Sequence, residues 1–336
     1  MSRWIIIGLV TAISLVRAAL GQDLHFSQFA TTPSYINPAF TGKFNGEGRF
    51  IVNQRQQWRS VTVPYNSFAV AADFSQIKSA PNVGAGMSVY YDRAGDSKLS
   101  TLKSDFALSY TLNLSYNRKH SVVFGLQGGL KNIRIDYSAL QFDNQYNGTA
   151  YDPSLSAREN FATDQLISAT ASSGFTYFWS SSSHVLAAGV GIYNLLASNT
   201  TFFETGNSPL DRRYTFQISS EIAAGKYLVF QPACFYGFQN TLHEWLAGSK
   251  TKYVLLDDNR YYRAVSAGFF YRNRDAAIAT VNFEVNDYNL GFSYDFNTSG
   301  LRKASNIRGA IELSLVYIYS SKRAGSRKFS SCPIFI

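Results

Sequence analysis

The sequence is poor in charged residues and, beyond its N-terminus, lacks long apolar runs. Only 16% of its 336 residues are charged, while 15% are aromatic; soluble domains usually carry about 25% charged residues. No later run reaches the roughly 18 apolar residues of a transmembrane helix, which excludes an ordinary helical membrane protein. The mean hydropathy is nonetheless −0.12, as expected when apolar and polar residues alternate along strands.

Cysteine and histidine are scarce and are not spaced as catalytic groups or metal ligands. Cys234 and Cys332 lie far apart, which favours two free thiols over a disulfide and gives no support for zinc. None of the four histidines has an HxxxH partner or a matching nucleophile motif. The acids in residues 136–164 do not follow a calcium-loop pattern. We therefore predict no enzyme, no metal and no cofactor; a barrel hydrolase would need a clustered nucleophile and base.

The basic residues are scattered rather than gathered on one face. The formal net charge is +9, with local clusters at residues 302–303 and 322–328. A nucleic-acid-binding protein would need a continuous basic face. We assign the charge to loops, lumen and tail, and predict no nucleic-acid partner.

The N-terminus has the features of a secretory signal. Arg3 supplies a positive region, residues 4–15 an apolar one, and Ala19-Leu20-Gly21 a small-x-small cleavage site. We predict a signal peptide over residues 1–21 and a mature chain that begins at Gln22. No cysteine follows the cleavage site, so no lipid anchor is expected there.

Segments with period-two alternation follow one another from residue 48 onward. In residues 101–114, for example, Phe106 and Leu108 alternate with Asp105 and Ala107, which indicates a strand with one apolar face. Roughly 10 residues is also what a tilted strand needs to cross a bilayer. The predicted strands are 48–58, 65–74, 83–92, 101–114, 120–135, 165–178, 183–194, 213–224, 227–238, 242–256, 261–272, 275–285, 287–296 and 306–319.

This pattern predicts an all-β fold, a transmembrane antiparallel outer-membrane β-barrel of about 14 strands over residues 48–319. Residues 22–47 form a lead-in, because Pro33, Pro38 and Gly42 interrupt regular structure while its aromatics need burial. We expect this lead-in to be periplasmic, packed inside or across the barrel mouth. Residues 320–336 form a tail that is basic and then apolar.

The predicted topology places the longest connections outside the cell. With a periplasmic N-terminus, every odd-numbered connection is extracellular, including residues 136–164, 195–212 and 297–305. Several even-numbered connections are tight, as membrane barrels require at the periplasmic end.

Polar residues in the strands predict a lumen network. Lys103, Asp105, Arg308 and Glu312 lie on the polar faces of their strands. A structural network that fills the barrel is favoured over a selectivity lining for a solute path. At the end of the first strand, Trp58 is either an interface aromatic flanked by polar rim residues or part of a partner-binding rim. The candidate partner-binding residues are Phe26, Phe29, Tyr35, Asn37, Pro38, Arg55 and Trp58.

Several stretches together resemble the PorP/SprF family, outer-membrane proteins associated with the type IX secretion system and gliding machinery. The resemblance spans nearly the whole mature chain, and its specific parts are the lead-in and SYDFNTSGLRKAS. The chain departs from the family pattern at Thr31-Thr32-Pro33 and in its CPIFI ending. The stretches that carry the resemblance are QDLHFSQFATTPSYINPAFTG (22–42), NQRQQW (53–58), MSVYYDRAG (87–95), SYDFNTSGLRKASNIRGAIELSLVYIY (293–319) and Cys332-Pro333.

The resemblance implies a barrel in outer-membrane lipid that works with other secretion components, including a peptidoglycan-binding periplasmic protein. Family members export or hold cargo such as adhesins at the cell surface, and the family offers no catalytic residues. Two hypotheses follow. One is a non-enzymatic scaffold of the secretion or gliding apparatus that binds partner proteins. The alternative is an outer-membrane channel for small solutes, which requires an open polar lumen.

Overall fold

A computed structural model describes residues 25–59, 63–75, 77, 80–95, 97–159, 161–204, 206, 208–258 and 261–321. The predicted signal peptide and most of the predicted tail, with Cys332, lie outside these residues. Within the described residues, no helix is long and apolar enough to span a membrane.

The chain forms one closed antiparallel barrel. Each strand pairs with the next, and the first strand closes the barrel on the last. The predicted 14-strand barrel is therefore confirmed. The strands are β1 (Gly48–Gln57), β2 (Tyr65–Phe74), β3 (Val83–Ala94), β4 (Leu99–Asn113), β5 (His120–Arg134), β6 (Gln165–Ser180), β7 (His184–Tyr193), β8 (Arg213–Ala224), β9 (Leu228–Gln239), β10 (Leu242–Asp257), β11 (Tyr262–Arg272), β12 (Ala276–Val285), β13 (Tyr288–Asn297) and β14 (Arg308–Tyr319).

The apolar side of each strand faces outward. On β4, Phe106 and Leu108 are 69% and 59% exposed, whereas Asp105 and Ala107 between them are buried. A water-soluble sandwich would bury such faces against each other. A closed barrel with an apolar outer wall instead leaves no backbone edge to satisfy in lipid.

Aromatic pairs lie near both ends of this outer wall. Trp245 packs edge-on against Tyr271 near one end, with ring centroids 5.6 Å apart. Near the other end, Tyr288 lies 4.9 Å from Tyr317. Aromatic girdles at both interfaces are typical of transmembrane barrels.

One end of the barrel carries the longest connections, β5–β6 and β7–β8, and we call it the long-connection end. These two connections pack on each other through rings. Tyr137 stacks on Phe161 at 3.9 Å, and Phe161 stacks on Phe203 at 5.2 Å. Ala162 also donates a backbone hydrogen bond of 2.9 Å to Phe202. The connections at the opposite, tight-turn end are mostly short.

Residues 25–47, which we call the plug, lie inside the barrel. The plug contains three short helical turns, Phe29–Thr31, Pro33–Ile36 and Pro38–Phe40. Two of these turns begin with proline, whose fixed φ angle favours the start of a helical turn. The plug starts beside Arg272, the last residue of β11, at the long-connection end. It ends at the tight-turn end, where Glu47 N donates to Tyr319 O at 2.8 Å.

Candidate functional site

The first turn of the plug binds a carboxylate on the last strand. The backbone N–H groups of Ser27 and Gln28 donate to the two oxygens of Glu312, at 2.7 and 3.0 Å. Asn53 on β1 donates to the same carboxylate at 2.9 Å and to Thr31 at 2.7 Å. Glu312 is fully buried, so these donors take the place of water around its charge.

Two arginines and a second acid complete a buried group, the lumen ion cluster, defined as Arg55, Arg272, Asp295 and Glu312. Arg55 lies 2.9 Å from Asp295 and 3.4 Å from Glu312, and Arg272 lies 3.3 Å from Asp295. The Ser27 hydroxyl donates to Asp295 at 2.8 Å and accepts from both arginines. Arg272 also pairs with Asp275 at 2.9 Å and with Glu244 at 3.1 Å, and the plug supplies the central hydroxyl of the cluster.

Asn37 fixes the middle of the plug. It is fully buried, and its Nδ2 donates to the carbonyls of Phe175 and Val190 and to the Thr176 hydroxyl at 3.0–3.1 Å. Its Oδ1 accepts the N–H of Ala39 at 2.9 Å. A buried amide with this many partners holds the plug in one register against β6 and β7.

Glycines on the inner wall make room for the plug. A Cβ on Gly125 would overlap the backbone of Pro38 and Ala39, and one on Gly174 would overlap the Asn37 side chain. A Cβ on Gly84 would lie 2.7 Å from Thr41 O. Glycine is therefore required at these positions because the plug backbone approaches the wall closely.

The plug leaves the lumen past a buried ion pair at the tight-turn end. Arg49 donates to both oxygens of Asp73, at 2.9 and 2.7 Å. Asp73 also accepts the N–H of Gly42 at 2.7 Å, and Arg49 donates to Phe40 O at 3.3 Å. Both ions thus bind wall and plug together, in the bidentate geometry that makes such pairs strong.

Aromatic and cationic side chains hold Tyr35. The Arg213 guanidinium lies over the rings of Tyr35 and Tyr193, at 4.3 and 4.4 Å, and donates to Tyr35 O at 2.9 Å. The Tyr193 hydroxyl donates to Ser34 O at 3.0 Å. Cation–π contacts gain strength where water is excluded, so this group anchors the plug to β7 and β8.

Apolar side chains also pack around the plug. Ile36 and Phe40 pack with Val123 and Phe178 of the inner wall. Phe29 lies edge-on against Phe270, 5.8 Å between ring centroids. The lumen is thus a packed core with an internal segment rather than an open polar path.

Six of the seven predicted partner-binding residues line this internal contact. All six lie inside the barrel, against its own wall: Phe26, Phe29, Tyr35, Asn37, Pro38 and Arg55. Trp58 is the exception. It is half-buried just beyond β1, donates its backbone N–H to Gly309 O at 3.0 Å, and packs on Tyr65.

The predicted lumen residues separate into three places. Lys103 and Asp105 form a buried ion pair of 3.0 Å, and Thr170 donates to Asp105 at 2.9 Å. Glu312 lies in the ion cluster. Arg308 is exposed, because a register shift places it opposite Phe296, whose ring is exposed on the outer wall. The structure therefore does not bring Arg308 into the lumen network.

Several residues of the site were not singled out from the sequence. Asp295 lies on the polar face of a recognised strand, and alternation alone could have identified it. Arg272 is the last residue of its strand. Arg49 and Asp73 lie on different strands, and the pairing of these two residues depends on the register of the barrel. The wall glycines carry no signal that separates them from glycines at bulges or turns.

The N-terminal end of the plug carries a histidine with a shifted pKa. Burial lowers the pKa of His25 below its usual value near 6.5 and the neighbouring Arg272 lowers it further, while Glu244 opposes the shift. The Nε2 atom of His25 is buried without a hydrogen-bond partner. Burial and the Arg272 charge both disfavour the protonated imidazole.

No group of three or more potential metal ligands occurs among the residues that the structure describes. Cys234 on β9 is a free thiol. The contacts that the structure does show hold an internal segment in place: a buried ion cluster, a buried amide and a cation–π group.

Comparison with known proteins gives a family and several distant structures. Residues 18–317 match the type IX secretion system membrane protein PorP/SprF family. No curated protein matches the chain. The toluene transporter TbuX of Ralstonia pickettii shares 11% identity over 89% of this chain and 95% of its own, with a TM-score of 0.48. The toluene transporter TodX of P. putida shares 10% identity over 85% and 93%, with a TM-score of 0.49.

The family match covers most of the chain, and it agrees with a closed antiparallel barrel whose outer wall is apolar. Such barrels are the form in which strands cross an outer membrane. The chain therefore belongs to the PorP/SprF family of type IX secretion system membrane proteins and is an outer-membrane barrel.

Proposed function

We propose that this barrel is a non-enzymatic scaffold of the type IX secretion or gliding machinery. It binds partner proteins and thereby serves the secretion or surface attachment of cargo such as adhesins. Its partners are other secretion components, including a peptidoglycan-binding periplasmic protein.

The observation that carries the proposal is the occupied lumen. The plug fills the barrel from the ion cluster to Asp73, and its contacts are buried and specific. A transport path needs a continuous hydrated lining, whereas an anchor needs only a rigid barrel. The occupied lumen thus favours binding at the ends of the barrel over conduction through it.

Two features at the long-connection end are suited to hold a partner. The β5–β6 and β7–β8 connections are joined by the stacked rings of Tyr137, Phe161 and Phe203, and the last of these remains about half exposed. Trp58 and its rim lie at the same end. We call the stacked rings of Tyr137, Phe161 and Phe203 the aromatic platform. We propose that this platform contacts surface cargo, since exposed aromatics on ordered loops are common in binding sites.

The proposal is tested by affinity purification of the tagged barrel from detergent-solubilised outer membranes, followed by mass spectrometry. Co-purification of one surface adhesin or of secretion-ring proteins supports the scaffold. The variant carrying Tyr137→Ser and Phe161→Ser opens the platform without touching the plug, and we expect it to lose the cargo but to retain the periplasmic components. A monomer that recovers no partner would overturn the proposal.

The alternative function is a channel for small solutes. It requires the plug to leave the lumen, because the plug interrupts the polar path along the inner wall. Ion conduction by the unmodified barrel in planar bilayers, together with an absence of partners, would favour the channel over the scaffold.

A further inference from the structure

A cavity remains between the plug and one side of the barrel wall. Its volume is about 60 Å³, and it lies behind plug residues 27–31, against strands β8 to β12. A buried water needs about 10–15 Å³ of such space. The cavity therefore has room for roughly four to six waters, or for one small molecule.

Part of its polar lining is a row of side chains that runs across neighbouring strands. Gln231 is paired with Lys250, Lys250 with Gly268, and Gly268 with Thr280. The row begins at Glu221, which accepts a hydrogen bond of 2.7 Å from Gln231. Residues opposite each other in a sheet lie about 4.5–5.5 Å apart at their Cβ atoms, so these groups share one face of the cavity.

Gly268 leaves a gap in the row that Lys250 crosses. A Cβ on Gly268 would lie 2.5 Å from Lys250 Cγ and 2.9 Å from Thr280 Oγ1. The aliphatic part of the lysine side chain therefore passes over the glycine, beside the threonine hydroxyl. Lys250 and Thr280 thus line the same part of the cavity.

Polar atoms in this row are left without partners. Thr280 Oγ1 and Gln231 Oε1 are buried and form no hydrogen bond, and both residues are more than nine-tenths buried. The first can donate and the second can only accept. Leaving such atoms unsatisfied is unfavourable, so the cavity favours an occupant that accepts at one end and donates at the other.

The charges of the row have the same arrangement. Lys252 and Glu284 form an ion pair of 2.8 Å, and both lie close enough to Lys250 and Glu221 to act on their charges. Lys250 and Glu221 both line the cavity, and neither forms an ion pair within the part of the chain that the structure describes. An anion would be attracted by Lys250 but repelled by Glu221. A cation would be attracted by Glu221 but repelled by Lys250. A molecule that carries both charges satisfies both residues.

We propose that this cavity binds a small zwitterion, an α-amino acid of the size of glycine or alanine. Its carboxylate lies toward Lys250 and Thr280, and its ammonium lies toward Gln231 Oε1 and Glu221. Phe29 and Phe270, which also line the cavity, limit the side chain to a small apolar group. Because Phe29 belongs to the plug, the bound molecule bridges plug and wall.

The test is equilibrium dialysis of the purified full-length barrel in detergent with radiolabelled glycine and alanine. Acetate and methylamine are controls that carry only one of the two charges. Phenylalanine is a control that carries both charges but has a side chain too large for the cavity. We expect glycine or alanine to bind at least tenfold more tightly than acetate, methylamine or phenylalanine. Saturating ligand should also raise the thermal unfolding midpoint, since it binds only the folded barrel.

Three substitutions and one control locate the site. Lys250→Met and Glu221→Gln each remove one charge, and we expect each to weaken binding at least tenfold. Lys226→Met, in the exposed turn before β9, leaves binding unchanged. Thr280→Val is the most informative variant. Without ligand it leaves the unfolding midpoint unchanged or raises it, because it removes an unsatisfied hydroxyl, yet it weakens binding tenfold.

The proposal is overturned if wild-type barrel binds neither amino acid at millimolar concentration, which would assign the cavity to water alone. Equal binding of acetate and glycine, or binding that Thr280→Val leaves unchanged, would also overturn it. If Lys250→Met does not fold, Thr280→Val and Glu221→Gln still decide the question. None of these results depends on partner binding by the barrel.

Discussion

The backbone N–H of Ser27 donates a hydrogen bond of 2.7 Å to Glu312, across 285 residues of sequence. This contact joins the start of the plug to the last strand of the barrel. The Glu312 carboxylate thereby binds the plug, β1 and the lumen ion cluster at the same time.

Replacing Glu312 by alanine should therefore destabilise the barrel strongly. The change leaves Arg55 with one carboxylate partner and leaves three buried hydrogen-bond donors without an acceptor. Breaking a buried ion pair typically costs about 3–5 kcal/mol. The measurement is the free energy of unfolding in urea from detergent micelles. Asp136→Ala is the control, because its pair with Lys98 lies on the surface, away from the cluster, where a pair contributes little to stability. Equal effects of the two substitutions would show that the cluster does not hold the plug.

Gly125→Ala should displace the plug without disturbing the barrel wall. The new methyl group overlaps the plug backbone at Pro38 and Ala39, and backbone cannot move aside as a flexible side chain can. Gly128→Ala on the same strand is a matched control, because the nearest atom to its Cβ, Thr170 O, lies 3.7 Å away. Limited proteolysis of folded barrels detects release of the plug directly. We expect faster cleavage near residue 40 in the Gly125 variant only; identical digests would place the plug elsewhere.

Stability should fall on the acid side of neutrality through His25. Its folded pKa lies below the unfolded value near 6.5, so the unfolded chain takes up the proton first. The contribution of His25 is complete above that pH and is lost as pH falls toward the folded pKa. A tenfold difference in proton affinity between the folded and unfolded chains corresponds to about 1.4 kcal/mol. Other charges around the ring are Arg272, Glu244, Arg55 and Asp275.

The check is the free energy of unfolding at pH 8 and pH 5 in wild-type and His25→Gln barrels. The substitution should reduce the loss between the two pH values. His184→Gln serves as the control, since His184 is exposed on the outer wall. A pH dependence that His25→Gln leaves intact would assign it to other groups.

Removing residues 25–42 should convert the barrel into a conducting pore. The inner wall it exposes is polar, with Asp105, Glu312 and Arg272 among its residues. In planar bilayers we expect no steady current from the full barrel and discrete openings from the shortened one. Should the shortened barrel not fold, the Gly125→Ala variant gives a second readout, with intermittent openings. Large steady currents from the full barrel would contradict the occupied lumen.

The strands of this fold were predictable because alternation is a local signal. Each strand repeats the same two-residue period, and the residue range 48–319 predicted from it coincides with the first and last residues of the barrel. The position of Arg308 was not predictable in this way. Its exposure comes from a register shift against β13, and such shifts depend on both strands together.

The site was less predictable than the wall, because its contacts join residues that are distant in sequence. The proline and aromatic content of the lead-in indicated a buried irregular segment, which the structure places along the lumen. Which wall residues receive it depends on strand register, barrel closure and the absence of a Cβ at positions such as Gly174. No local pattern encodes these three conditions.

The direction of the plug has a consequence for how this protein is made. Ser27 and Gln28, near the start of the plug, donate to Glu312 on β14, the last strand to be translated. Assembly cannot proceed from the N-terminus onward, since the first segment waits for the final one. The hydrogen bonds from Ser27 and Gln28 to Glu312 can form only once β14 is in place. Contacts between residues so distant in sequence form slowly, so we expect the plug to be fixed late in folding.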